Sequence, residues 1–143
     1  MAIERTLALV KPDGVRRQLI GEVIRRYEQK GLLIVGLLYL TMSREVAERF
    51  YAEHRQQDWF QTLLDIMTCG PIVAIILEGE SAVGAVRHVN GPTDPLKANP
   101  GTIRGDLGTV IPFNVVHGSD SVERAAEEVK ILFDQVKIEA LIT

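Results

Sequence analysis

Asn114-Val115-Val116-His117-Gly118-Ser119-Asp120-Ser121 carries the most chemistry of any stretch in this sequence. One histidine ends a short β-branched run, just before a glycine and a Ser/Asp cluster able to open a helix. Val115 and Val116 read as buried strand, and Asp120 with Glu123 three residues on reads as a helix N-cap and its capping-box partner. Rigid backbone would then hold the imidazole on one side while a helix N-terminus faces it on the other. Such an end carries unpaired N–H groups and roughly half a positive charge, which favours an anion. A neutral imidazole in that place is a nucleophile for a phosphoryl group. A carboxylate accepting from its second ring nitrogen would set the tautomer and stabilise the charged adduct. Glu123, Glu127 and Glu128 on the following helix are all open candidates for that carboxylate.

A phosphoryl group also needs cations. Lys11 ends an apolar run just before Pro12-Asp13-Gly14, an unusual place for a lysine and so a functional candidate by itself. Arg87 and Arg104, taken singly, read as a helix charge and a loop charge. His54 and His88 read as surface residues among charged neighbours. The commoner phosphate, metal and hydrolase motifs are missing: no G-x-x-x-x-G-K-[ST], G-x-G-x-x-G, C-x-x-C, H-E-x-x-H or G-x-S-x-G occurs. The net charge of −3 gives no basic field for nucleic acid or an anionic membrane, so any phosphate must be met by local placement of Lys and Arg.

The elements that must position these residues follow from periodicity and punctuation. Thr6–Lys11 reads as a buried strand stopped by Pro12-Asp13-Gly14. Leu19, Ile20, Val23, Ile24 and Tyr27 recur at helical spacing, with Gly31 as the C′ residue. The continuous apolar run Leu32–Thr41 predicts a second strand, central in its sheet. Ser43 caps a helix through about His54, and a second helical piece runs from about Asp58 to Cys69, ended by Gly70-Pro71. Ile72–Leu77 is the third strand, Ser81 caps a helix to about Val89, Val115–His117 is the fourth strand, and Asp120 to about Phe133 is the last helix. This β-α-β-α(α)-β-α-β-α order predicts a ferredoxin-like α/β (α+β) sandwich, a four-stranded antiparallel sheet with helices packed on one face.

One domain spanning 1–143 is expected, large enough for a core without disulfides or structural metal. Asn90–Phe113 resists the pattern, with four prolines and four glycines. Connections of that length inside a compact domain are usually functional, and this one holds Thr93, Lys97, Arg104 and Asp106. The single cysteine, Cys69, excludes an internal disulfide and reads as a small, semi-buried packing residue near a helix end, in a reducing compartment. No run approaches the roughly 20 apolar residues of a membrane span, and the first residues lack the order of a signal peptide, so the cytoplasm is expected.

The histidine stretch resembles the active-site signature of nucleoside diphosphate kinases. Similarity extends over about residues 3–133, through Glu4-Arg5-Thr6-Leu7, Lys11-Pro12-Asp13-Gly14-Val15, Arg17, Gly21-Glu22, Glu28-Gln29-Lys30-Gly31 and Gly70-Pro71-Ile72-Val73. Pro100-Gly101-Thr102-Ile103-Arg104-Gly105-Asp106 is a second near-diagnostic block, and the tail after Phe133 is less similar. The resemblance implies ping-pong transfer of a γ-phosphate, mainly from ATP, to a nucleoside diphosphate through a phosphohistidine on His117. It places the phosphate on Nδ1 and ranks Glu128 as the carboxylate on the other nitrogen. It implies that Lys11 reaches the ribose and the transferred phosphate, that Arg87, Thr93 and Arg104 hold the diphosphate, and that Asn114 holds the 3′-hydroxyl. Tyr51 falls beside the histidine. Mg²⁺ would arrive on the nucleotide phosphates, with no metal site of the protein's own. A homo-oligomer, tetramer or hexamer, is implied, with Pro95 at a position tied to assembly.

Trp59 departs from the resemblance, in Asp58-Trp59-Phe60 where Pro-Phe-Phe is usual. Stacking on the nucleobase is the expected role, since every base has a π-face, with Leu63 and Ile111 completing the slot. Leu107 for an aromatic residue and Pro112-Phe113 before Asn114 are further departures. The alternative readings are a non-catalytic nucleotide-binding ferredoxin-like domain and, less favoured by 6 % aromatic content, a nucleic-acid module.

Overall fold

Leu7 and Leu9 point to one side of the first strand, Ala8 and Val10 to the other, and all four are fully buried. A strand with both faces buried must lie inside its sheet. In a computed structural model, which describes residues 2–134, this strand, β1 (Ile3–Val10), is flanked by β3 (Ile72–Glu80) and β4 (Val116–Gly118). With β2 (Leu33–Leu40) the spatial order is β2-β3-β1-β4 and every pairing is antiparallel. Most of the tail after Phe133 lies outside the described residues.

Helices cover both faces of the sheet, not one. On the first face, α3 (Arg44–Phe50), α4 (Phe60–Thr68) and α7 (Val122–Phe133) bury Phe50, Leu64, Met67 and Leu132 against Leu7 and Leu9. On the second, α2 (Ile20–Gln29), α5 (Ala82–Asn90) and α6 (Ile103–Leu107) bury Val23, Tyr27, Val86 and Ile103 against Ala8 and Val10. The remaining helix, α1 (Pro12–Arg16), stands where the sequence predicts only a turn, with Pro12 in its first turn.

β2 is an edge strand, not a central one. Leu33, Val35, Leu37 and Tyr39 are exposed along it. A bulge between Ile34 and Gly36 shifts the register, so Ile34 packs on the second face while Leu38 and Leu40 pack on the first. A continuous apolar run here records one bulged strand that serves both faces in turn.

Local corrections have local causes. Ser121, not Asp120, caps α7 by accepting from the Arg124 N–H at 3.0 Å, so Glu123 is in the first turn and no capping box forms. Ser81 stands at the start of α5 in a left-handed conformation without capping it, and Glu4 accepts from the Val83 N–H instead. The Asn90–Phe113 segment contains a short 3₁₀ turn, Pro95–Lys97, as well as α6. Cys69 is exposed rather than semi-buried. Among the described residues no helix is long and apolar enough to cross a membrane.

Candidate active site

β4 pairs Leu9 with His117 and Val10 with Val116, hanging the histidine on the short outer strand beside the central one. Val115 precedes β4 rather than belonging to it. Its φ of 69° is in the left-handed region, which a β-branched residue enters only at a cost of about 1–3 kcal/mol. Three ties hold it there. Its N–H donates to Asp13 Oδ2 at 3.0 Å, its carbonyl accepts from the Lys11 N–H at 2.8 Å, and its side chain is fully buried. This kink turns Asn114 back toward Lys11 before β4 begins.

The His117 ring is supported twice. Its Nε2 lies 2.9 Å from Glu128 Oε1, and the Phe50 ring meets it edge-on with centroids 5.4 Å apart. Nδ1 makes no hydrogen bond among the described residues. Glu128 is 2 % exposed. Burial pushes its carboxyl up, but the His117 and Ser119 hydrogen bonds and the nearby charge of Arg124 outweigh this and hold it below the usual carboxylate range. An ionised Glu128 must accept, so the hydrogen of the neutral ring is on Nε2 and the lone pair on Nδ1. Glu127, one of the open candidates, pairs instead with Arg124 at 2.9 Å, and Glu123 is exposed.

Cations converge from three distant segments. Lys11, 7 % exposed, donates from Nζ to Asn114 Oδ1 at 2.6 Å and to the Pro112 carbonyl at 2.8 Å. Burial pushes its ammonium down to about 8. The main-chain carbonyl at position 112, which any residue would supply, is thus one of the two acceptors that fix this lysine. Asn114 donates in turn to the Thr93 carbonyl at 2.9 Å. Arg104 is half-buried and donates to the carbonyls of Gly91, Val116 and Asn114. Arg87, exposed on α5, donates to the Gly118 carbonyl at 3.3 Å.

These groups line one cleft of about 940 Å³, together with Tyr51, Thr93, Trp59 and Leu63. The buried Tyr51 lies against Phe50, and burial pushes its hydroxyl up, so it stays a neutral phenol. Trp59, 48 % exposed, opens α4 at the cleft mouth, and Leu63 follows one turn later. Its ring lies 5.0 Å from that of His54, which therefore lines the cleft, as does His88.

Ile111 is the one expected site residue that the structure does not bring in. It is 57 % exposed and absent from the cleft wall, carried outward by the hydrogen-bonded turn Thr109–Phe113. Two further residues, to which the sequence alone assigns no part in the site, act on Glu128. Ser119 donates to Glu128 Oε1 at 2.5 Å across nine residues, a contact no local spacing announces. Arg124 reaches Glu128 Oε2 at 3.1 Å, and its i,i+4 relation to Glu128 was a readable signal.

A lone pair held on one ring nitrogen, in a cleft lined by Lys11, Arg87 and Arg104, is suited to accept a phosphoryl group from a polyphosphate. The comparisons point the same way. The family model described as nucleoside diphosphate kinase matches residues 4–138. The nucleoside diphosphate kinase of Rubrobacter xylanophilus is 55 % identical over 131 residues, 92 % of this chain and 98 % of that protein. That of Kosmotoga olearia is 55 % identical over 136 residues, 95 % and 92 % of the two chains. The crystal structure of the Aquifex aeolicus nucleoside diphosphate kinase superposes with a TM-score of 0.89 at 41 % identity, covering 92 % of this chain and 96 % of that one. By sequence and by fold, this chain belongs to the nucleoside diphosphate kinase family.

Proposed function

We propose that the protein moves a γ-phosphoryl group, mainly from ATP, to a second nucleoside diphosphate through a phosphohistidine on His117. The observation that carries this is the Nε2–Glu128 hydrogen bond, which leaves Nδ1 as the free nucleophile inside a cationic cleft. Nδ1 attacks the γ-phosphorus, the bond to the bridging oxygen breaks, and the nucleoside diphosphate leaves with the electron pair. A terminal oxygen of the second diphosphate then attacks the same phosphorus and the P–N bond breaks. Glu128 accepts from Nε2–H throughout and stabilises the charged ring. Lys11, Arg87 and Arg104 meet the phosphates, with Thr93 beside them, and Asn114 and Lys11 meet the ribose hydroxyls. Residues 1–143 act as one unit in this mechanism, with the 90–113 segment closing the phosphate side.

Lys11, Arg87 and Arg104 bring charge to the cleft rather than metal ligands, which suits Mg²⁺ carried on the nucleotide, where it would neutralise phosphate oxygens. The exposed apolar edge strand β2 supports a homo-oligomer, since an open edge of that kind is a template for pairing with another chain. Intact mass at neutral pH after incubation with Mg-ATP tests the reading. One added phosphoryl group that leaves as GTP forms on a GDP chase is expected; folded, ADP-binding protein that never gains it sinks the mechanism and, if it also forms no GTP, favours the non-catalytic alternative.

Two predictions concern binding. Trp59 is the only tryptophan and half exposed at the cleft mouth, so saturating ADP should quench its emission by stacking; an unchanged spectrum removes Trp59 from the base site. Lys11, at about 8, is a cation below that pH and loses its charge above it. ADP affinity should therefore fall about tenfold from roughly pH 7.5 to roughly pH 9.5, the worth of a charged hydrogen bond, as read by calorimetry. A flat profile would mean that the Lys11 charge does not hold bound ADP. For folding the sign is opposite. Between about 8 and 10.5 the folded chain binds fewer protons than the unfolded one, so this group alone adds stability as pH rises through that window.

A further inference from the structure

Arg124 touches everything that holds the His117 ring and has no part in the mechanism above. Its Nε lies 3.1 Å from Glu128 Oε2, while His117 and Ser119 both use Oε1. The guanidinium thus takes the oxygen the histidine does not need. From the same planar group, Nη2 donates to the Phe50 carbonyl and the charge lies 5.9 Å from the Phe50 ring centre. That ring is the one packed edge-on against His117. Nη1 reaches out to Glu127 at 2.9 Å, bracing the fork from the solvent side. The Nε contact is an ion pair rather than an aligned hydrogen bond, since Nε is a buried donor without an acceptor in line.

We propose that Arg124 is a positioning residue for phosphoryl transfer, one guanidinium that fixes both supports of the His117 ring, the Glu128 carboxylate and the Phe50 side chain. The proposal rests on His117 being the nucleophile. A buried carboxylate with a cation on one oxygen stays ionised and stays turned, so its other oxygen faces Nε2 and the ring keeps its hydrogen there. Without that cation, Glu128 can take up a proton or rotate, and the hydrogen can move to Nδ1, the atom that must attack. Only arginine serves three partners at once; lysine brings the charge to Glu128 without the fork that also reaches Phe50.

The test reads the tautomer and the chemistry separately. In protein with ¹⁵N-labelled histidine, the His117 ring shifts, assigned against His117→Ala, should show the Nε2–H tautomer. Arg124→Met should raise the Nδ1–H fraction and slow single-turnover phosphorylation by Mg-ATP about tenfold, a usual cost of losing an outer support. ADP affinity by calorimetry should stay unchanged, and Arg124→Lys should fall between the two. Unchanged tautomer and rate in Arg124→Met overturn the proposal. So does a loss confined to ADP affinity, which would make Arg124 a phosphate ligand. Equal slowing in the Met and Lys variants, with a lowered Tm and an unmoved tautomer, would reduce it to a fold contact and overturn the proposal as well. If wild-type protein never gains a phosphoryl group, the phosphohistidine reading fails, while the ring shifts still decide what Arg124 does. Should Arg124→Met fail to fold, Arg124→Gln carries the same comparison.

Discussion

His117→Ala is expected to lose phosphoryl transfer by about 10⁴-fold or more, as removal of a nucleophile does, while keeping its fold and its affinity for ADP. The ring is on a three-residue outer strand and is partly exposed, so its loss opens no large core cavity. Its strand partner Leu9 pairs through backbone that the substitution leaves in place. The cations proposed to hold the diphosphate come from β1's end, α5 and α6 and do not hydrogen-bond the imidazole. Steady-state assay, calorimetry with ADP and intact mass after Mg-ATP give the three readouts. Substantial residual turnover would place the nucleophile elsewhere, and lost ADP binding would mean that the ring holds substrate rather than attacking it.

Arg104→Ala should be costly in two ways. From the sequence its effect was confined to phosphate holding, but the structure gives it a second task. Its three donors tie Gly91, Asn114 and Val116, and thereby both ends of the 90–113 segment, to α6. Burial pushes its guanidinium down to about 10, which still leaves it charged at neutral pH. Hydrogen bonds from a charged donor contribute about 1.5–3 kcal/mol each, and water will replace part of them. A net loss of about 3 kcal/mol is expected, roughly a 10 °C fall in Tm for a domain of this size. Catalytic efficiency should drop about 100-fold, since Asn114 and the phosphates lose their placement together. Thermal melting and kcat/KM check the two effects independently. An unchanged Tm would refute the clamp, and unchanged kinetics would remove Arg104 from the site.

Most elements were legible because their signals are local. The short apolar run of β1, the helical spacing of Val23 and Tyr27, the Ser43 cap and the Gly31 stop all act within a few residues. The errors cluster where a distant group changed a local outcome. Ser81 looked like a cap, yet Glu4 from the neighbouring strand does the capping. Val115 looked like strand, yet Asp13 and Lys11 hold it left-handed. The run Leu32–Thr41 looked central because apolar content does not say what will cover each face, and a bulge lets one strand serve two.

The site divides along the same line. The sequence by itself determined that one histidine stands before a Gly-Ser-Asp opening of a helix, that a carboxylate on that helix should meet it, and that Lys11 is out of place for a solvated charge. The tertiary structure alone decided that Lys11 lands on Asn114 from 103 residues away, that Ser119 and Arg124 share Glu128 with His117, and that Ile111 turns out to solvent while Trp59 opens onto the cleft. Periodicity and capping record interactions a few residues long, whereas the direction of a side chain into a shared cleft is set by sheet order and by loops whose hydrogen bonds close over tens of residues.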